Sequence, residues 1–84
     1  MSKHQKLIER LKSRPRDFTF QELEALLKGF GYSVSNSGKT SGSAVRFVHP
    51  DHHVIRLHKP HPSPVLKGYA VDAVLEVLHN EGLI

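Results

Sequence analysis

Apolar and polar positions along the chain follow helical spacing in three stretches and strand alternation in three others. Leu7, Ile8 and Leu11 share one face of a short first helix, which the segment 14–17 interrupts. Two further apolar helix faces are formed, in chain order, by Leu23, Leu26, Leu27 and Phe30 and by Val71, Val74, Leu75 and Leu78. Alternation predicts short strands over 32–35, 43–49 and 54–58.

The residues at the ends of the second and last helices support these assignments. Thr19 and Glu22 have the spacing of a capping box, in which each side chain satisfies a backbone amide of the other residue. Gly29 and Gly31 are predicted to end the second helix, because glycine readily takes the left-handed conformation found there. Gly82 is predicted to end the last helix, which begins between residues 67 and 70.

Alternation also separates the side chains of the second and third strands onto two faces. In the second strand, one face carries Ser43, Val45 and Phe47, and the other carries Ala44, Arg46 and Val48. In the third strand, Ile55 and Leu57 face away from Val54, Arg56 and His58. The turn at 49–52 predicts that these strands pair as a hairpin. The order α-α-β-β-β-α therefore predicts an α+β fold, a three-stranded antiparallel sheet with helices packed on one face.

Length and composition narrow the class of protein. With 84 residues the chain forms one domain, and its lack of cysteine excludes disulfide bonds and zinc–thiolate sites. No stretch is apolar enough for a signal peptide or a membrane span, so we expect a cytoplasmic protein with no membrane partner. The net charge of +4, with the histidines neutral, favours an anionic partner such as nucleic acid or an acidic protein surface.

A series of short motifs follows in a fixed order along most of the chain. They are Gly29-Phe30-Gly31-Tyr32, the loop and strand over 38–47, His49-Pro50-Asp51, Pro60-His61-Pro62, Leu66-Lys67-Gly68 and Glu81-Gly82-Leu83-Ile84. Through their order and spacing, the chain from about residue 20 to residue 84 resembles the HicA family of toxins. On this basis residues 1–17 are an N-terminal helical extension and residues 18–84 are a HicA-like domain.

The resemblance implies a fold similar to a double-stranded-RNA-binding domain. It also implies an mRNA endoribonuclease that blocks translation without a metal or other cofactor, with mRNA and a HicB-type antitoxin protein as partners. A nucleotide cofactor is not expected, because the loop at 38–40 resembles a phosphate-binding loop but Ser33 stands where that motif requires glycine. His49, His52 and His53 are interpreted as solvating the hairpin turn rather than as a metal site.

One position departs from the family pattern. The family commonly carries a histidine directly after a Gly-Ser pair, and here this position is Ala44. A histidine there can act as a general base on the RNA 2′-hydroxyl or as a general acid on the leaving oxygen, whereas alanine can do neither. Three interpretations are open: another residue does the chemistry, the chain binds RNA without cutting it, or Ala44 is an engineered substitution that permits expression of a toxic protein.

His58 and His61 flank Pro60 and are the candidates for an alternative acid or base, although both can equally be exposed residues beside a proline-rich loop. RNA contacts are predicted for a set of polar and basic residues: Lys39, Ser43, Arg46, Arg56, Lys59 and Lys67. Such residues position phosphates without reading sequence. A solvated sheet face or an antitoxin-binding surface explains the same set. Two other functions therefore compete with the mRNA-cleaving toxin, namely a non-catalytic RNA-binding module and an antitoxin-interaction domain.

Overall fold

The computed structural model describes residues 3–35, 44–60 and 62–84. Its elements, in chain order, are helix α1 (Lys3–Lys12), helix α2 (Phe20–Gly29), strands β1 (Ser33–Ser35), β2 (Ala44–Val48) and β3 (Ile55–His58), and helix α3 (Gly68–Asn80). The predicted α+β class and the order α-α-β-β-β-α are confirmed. None of the helices in these ranges is long and apolar enough to cross a membrane.

Helix α2 begins and ends as its sequence predicts. The Glu22 backbone N–H donates to Thr19 Oγ1 over 3.1 Å, and the Thr19 backbone N–H donates to Glu22 Oε1 over 3.0 Å, which completes the capping box. At the other end Gly31 has a φ of 101°, and the Tyr32 backbone N–H donates to Leu27 O over 3.0 Å. This hydrogen bond ties Tyr32 to the helix end, so β1 begins at Ser33, one position later than predicted.

Helix α3 ends in the same way. Gly82 has a φ of 74°, and the Leu83 backbone N–H donates to Leu78 O over 2.9 Å. Leu83 consequently packs against the core. The predicted stop at Gly82 is confirmed, and so is a helix start between residues 67 and 70.

The three strands form one antiparallel sheet in the order β1-β2-β3. Val34 lies opposite Phe47, which in turn lies opposite Ile55, so these side chains share the face that packs against the helices. The predicted hairpin between the second and third strands is confirmed. Its opposite face points away from the core, with Arg46, Arg56 and His58 exposed to solvent.

The core between sheet and helices is apolar throughout. No polar or charged residue is buried in the part of the chain that the structure describes. The largest side chains with almost no exposed surface are Phe18, Phe47, Leu11, Leu23, Leu26, Leu27 and Leu78. Burial of each such side chain stabilises the fold by about 1.5–3 kcal/mol before the loss of chain entropy.

Residues 64–66, just before α3, are fixed by contacts that no local sequence pattern predicted. Thr19 and Val65 form an isolated antiparallel bridge. The Leu66 backbone N–H donates to Phe18 O over 2.8 Å, and the Phe20 backbone N–H donates to Pro64 O over 2.9 Å. Residues 59–64, which we call the connector, contain three prolines. The pairing at residues 64–66 joins the end of the connector to the start of α2.

Candidate functional site

The register of β2 and β3 decides which side chains meet on the open face of the sheet. Ala44 lies directly opposite His58, and Arg46 lies directly opposite Arg56. Directly opposed residues project to the same face of an antiparallel pair, about 4.5–5.5 Å apart at Cβ. We call these four residues, Ala44, Arg46, Arg56 and His58, the open-face cluster.

Arg46 and Arg56 concentrate positive charge at the centre of this cluster. Both are exposed, and within the described ranges neither guanidinium has an ion-pair or hydrogen-bond partner. Like charges directly opposite each other on neighbouring strands destabilise a sheet. Such a pair is therefore better explained by an anionic ligand than by the stability of the fold.

His58 borders a shallow depression of about 430 Å³, which Ser35, Ala44, Arg46 and Arg56 also line. Because Ala44 ends at its Cβ, it leaves space beside the imidazole. An exposed imidazole can act as a general acid or base, and two guanidiniums beside it can hold a phosphate. The cluster thus brings together the groups needed to bind a phosphodiester and to move one proton.

A second groove, of about 470 Å³, continues from His58 along the connector to the start of α3. It brings together the predicted residues Lys59 and Lys67, both of which are exposed. The Lys59 Nζ lies 5.7 Å from the centre of the Phe20 ring, a cation–π contact that holds this lysine near the connector.

Tyr69 also lines this groove, although it was not among the predicted site residues. Its position is out of phase with the apolar face formed by Val71, Val74 and Leu78, so the helical spacing already indicated a solvent-facing ring. Three predicted site residues, Lys39, Ser43 and His61, lie outside the residues that the structure describes.

The histidines of the hairpin turn have structural partners. The Asp51 backbone N–H donates to His49 Nδ1 over 2.9 Å, so the other ring nitrogen, Nε2, carries the hydrogen that points to Phe30 O at 3.0 Å. His52 Nδ1 lies 3.1 Å from Glu81 Oε1. Hydrogen bonds from the His53 backbone N–H and the His52 ring hold the pKa of the Glu81 carboxyl below its usual value. Among the described residues, no group of histidines and carboxylates is arranged to hold a metal ion.

Two arginines near the N-terminus, Arg10 and Arg14, form ion pairs instead of lining the open face. Arg10 Nε lies 2.8 Å from Glu22 Oε2, and Arg10 Nη2 lies 3.0 Å from Asp17 Oδ1. Arg14 pairs with Asp72 of α3. These contacts join α1 and the segment after it to the other helices.

Comparisons with known proteins identify one family. The model of the family described as the HicA toxin of bacterial toxin–antitoxin matches residues 20–79, which include the open-face cluster, all of α2 and all but the last residue of α3. Comparisons with curated proteins and with solved structures gave no match. The expected likeness to a double-stranded-RNA-binding domain therefore stays a prediction.

Proposed function

The chain belongs to the HicA toxin family, and from this premise we propose that it is an RNA-targeting toxin that cleaves mRNA through the open-face cluster. Membership makes it the toxin of a toxin–antitoxin pair, with an antitoxin as its partner. The observation that carries the proposal is the strand register. It sets His58 opposite the position of the family histidine and sets two arginines next to it.

In the proposed reaction the RNA itself supplies the nucleophile. The 2′-oxygen attacks the adjacent phosphorus, the bond from phosphorus to the 5′-oxygen breaks, and the products are a 2′,3′-cyclic phosphate and a 5′-hydroxyl. One group must take the proton of the 2′-hydroxyl, and another must give a proton to the leaving 5′-oxygen. Arg46 and Arg56 stabilise the charge that develops on the phosphate oxygens.

We assign one of the two proton transfers to His58, because its imidazole is exposed in the depression beside Ala44. A side chain on β3 can reach a phosphate held over Ala44, since the two residues are cross-strand neighbours. His61 is the candidate for the second transfer. The other predicted contacts, Lys39, Ser43, Lys59 and Lys67, bind the flanking phosphates.

A cleavage assay with three variants tests this assignment. The unaltered chain and each variant are incubated with RNA without added metal. The variants are Ala44→His, His58→Ala and the control His79→Ala, which changes an exposed histidine at the far end of α3. We expect His58→Ala to lower the cleavage rate by about 100-fold or more, the size of a general acid–base contribution. His79→Ala should cleave at the rate of the unaltered chain.

The other outcomes separate the competing functions. Cleavage by Ala44→His alone would show that the family mechanism fits this scaffold and that His58 does not replace the family histidine. If neither the unaltered chain nor Ala44→His cleaves RNA although both are folded, the proposed nuclease activity would be contradicted. Salt-sensitive RNA binding would then identify a non-catalytic RNA-binding module, and a complex with the antitoxin alone would identify an interaction domain.

We also propose that the antitoxin is of the HicB type and covers the open-face cluster. An acidic surface would neutralise Arg46 and Arg56 and would block RNA at the same time. Co-expression with the product of the adjacent gene, followed by purification, tests for the complex. We further propose a cytoplasmic location, which an mRNA substrate would support.

A further inference from the structure

Helix α3 carries one aromatic ring that the core does not use. Tyr69 is 72% exposed, whereas Val71, Val74 and Leu78 of the same helix are buried. Within the described part of the chain it is the one large apolar side chain that is exposed in this way. The ring is therefore available to a ligand.

The surroundings of Tyr69 are basic. The groove of about 470 Å³ that it lines is shared with His58, Lys59 and Lys67, and no carboxylate belongs to its described lining. Pro60 and Pro62 form part of the wall, and proline keeps this wall conformationally restricted. An aromatic ring that shares a groove with two lysines suits a ligand that is both aromatic and anionic.

The position of Tyr69 relative to the open-face cluster favours a nucleotide over a protein segment as that ligand. A smaller depression of about 220 Å³ between β3 and α3 is bordered by Arg56, His58 and Tyr69 together. His58 thus lines both the depression that holds the two arginines and the groove that Tyr69 lines. An RNA strand whose phosphate is bound at Arg46 and Arg56 can continue past His58 and bring a neighbouring base to Tyr69.

We propose that Tyr69 is a stacking platform for an unpaired RNA base, and that the chain consequently selects single-stranded over double-stranded RNA. The inference rests on the proposed function and specifies the class of RNA. Each base has a π-face that an aromatic side chain can cover, but in a duplex that face is already stacked on its neighbours. Lys59 and Lys67 bind the phosphates on either side of the stacked nucleotide.

Binding of a fluorescent single-stranded RNA oligonucleotide and of the corresponding duplex, both 2′-O-methylated so that the proposed nucleophile is blocked, tests this inference. The unaltered chain is compared with Tyr69→Ala, with Tyr69→Phe, which keeps the ring, and with Asn80→Ala, a neutral exposed position at the other end of α3. We expect tighter binding to the single strand, and a loss of about tenfold in affinity for Tyr69→Ala, the effect of one lost base stack. Tyr69→Phe and Asn80→Ala should bind like the unaltered chain. Circular dichroism and thermal unfolding verify that each variant is folded.

Different failures have different meanings. Equal affinity of Tyr69→Ala and the unaltered chain for the single strand would overturn the stacking role and leave the RNA-targeting function standing. Duplex binding as tight as single-strand binding would overturn the proposed selectivity. Weaker antitoxin binding by Tyr69→Ala with unchanged RNA binding would assign the ring to the protein partner instead. Absence of RNA binding by the unaltered chain would overturn the proposed function together with this inference.

Discussion

Arginines occupy two contrasting electrostatic environments in this small domain. Arg46 and Arg56 lie directly opposite each other on the exposed face of the sheet, where the repulsion between their charges destabilises the sheet. Arg10 instead lies 2.8 Å from Glu22, whose carboxylate also accepts the Thr19 backbone N–H at the start of α2. The Arg10 pair stabilises the fold modestly, because both partners are partly exposed to water.

Glu22→Gln should measure the contribution of the ion pair with Arg10 alone. Glutamine preserves the capping box but carries no charge. The hydrogen bond from Arg10 is the main reason that the pKa of Glu22 lies below its usual value. A carboxyl with a lowered folded-state pKa contributes stability above its unfolded-state pKa and loses that contribution as the pH falls through the folded-state pKa. We expect the thermal midpoint to drop by about 2 °C near neutral pH.

Thermal unfolding across a pH series measures this effect. The difference between the chain and Glu22→Gln should shrink as the pH falls below the ordinary glutamate pKa and disappear below the lowered folded-state pKa. Glu76→Gln, at an exposed position of α3, is the control and should show little difference at any pH. A Glu22→Gln difference that stays constant into acid would contradict the assigned cause.

The C-terminal end of α2 is held by two histidines that approach glycines closely. His4 of α1 places its Nε2 3.0 Å from Leu26 O, and its ring occupies the space that a Cβ on Gly29 would need. His49 approaches Gly31 in the same manner, with its Nε2 2.9 Å from the position of an added Cβ. The contact with His4 thus explains why position 29 is glycine, whereas at position 31 the positive φ and the approach of His49 both favour glycine.

Gly29→Ala should therefore destabilise the protein, although alanine favours a helix over glycine by about 0.5–1 kcal/mol. The added methyl group displaces the His4 ring and removes its hydrogen bond to Leu26, so we expect a net loss of about 1 kcal/mol. In a His4→Ala background the same substitution should be neutral or stabilising. Urea unfolding of the four proteins of this double-mutant cycle measures the coupling.

Gly68→Ala is the matched control for this cycle, because an added Cβ at Gly68 meets nothing within 4 Å among the described atoms. It should not destabilise the protein in either background. Additive effects of His4→Ala and Gly29→Ala would show that the ring does not occupy the space at Gly29 in solution.

Local sequence signals predicted the elements, and long-range contacts escaped prediction for a physical reason. The capping box at Thr19 and the left-handed Gly31 and Gly82 depend on neighbouring residues, so the sequence predicts them well. The bridge between Thr19 and Val65 joins positions far apart in the chain, and no local pattern indicates it.

The candidate site was predictable to the same extent. Strand alternation predicted which face carries Ala44, Arg46, Arg56 and His58. It did not predict that Ala44 opposes His58, because the register also depends on how many residues the hairpin turn takes up. Tyr69 was detectable from its helical phase, but its place beside His58 depends on how α3 packs on β3.

At the scale of the whole molecule, α1 lies outside the family match but inside the core. The match begins at residue 20, whereas Leu11 of α1 is 1% exposed and belongs to the same apolar cluster as α2, the sheet and α3. The proposed division into an extension (1–17) and a HicA-like domain (18–84) thus follows the family resemblance and not the packing of the core. The packing of Leu11 makes the two parts interdependent for stability.

Leu11→Ala should accordingly lower the free energy of unfolding by about 2–5 kcal/mol, the range for removing a buried leucine side chain. The effect is large for a small domain, whose total stability is about 5–10 kcal/mol. Urea unfolding measures it, with Leu7→Ala, at a half-buried position of the same helix, as the milder comparison. A negligible effect of Leu11→Ala, together with cooperative unfolding of the chain shortened to residues 18–84, would contradict the interdependence.

The opposed pair of Arg46 and Arg56 has a consequence for how long the toxin survives in a cell. Their repulsion weakens the uncovered sheet, and any anionic surface that covers the pair relieves it and adds its own binding energy to the folded state. The uncovered chain therefore opens more often than the covered one and is more accessible to proteases. Under the proposed function, in which RNA or antitoxin occupies the open face, we expect occupancy to slow the turnover of the toxin.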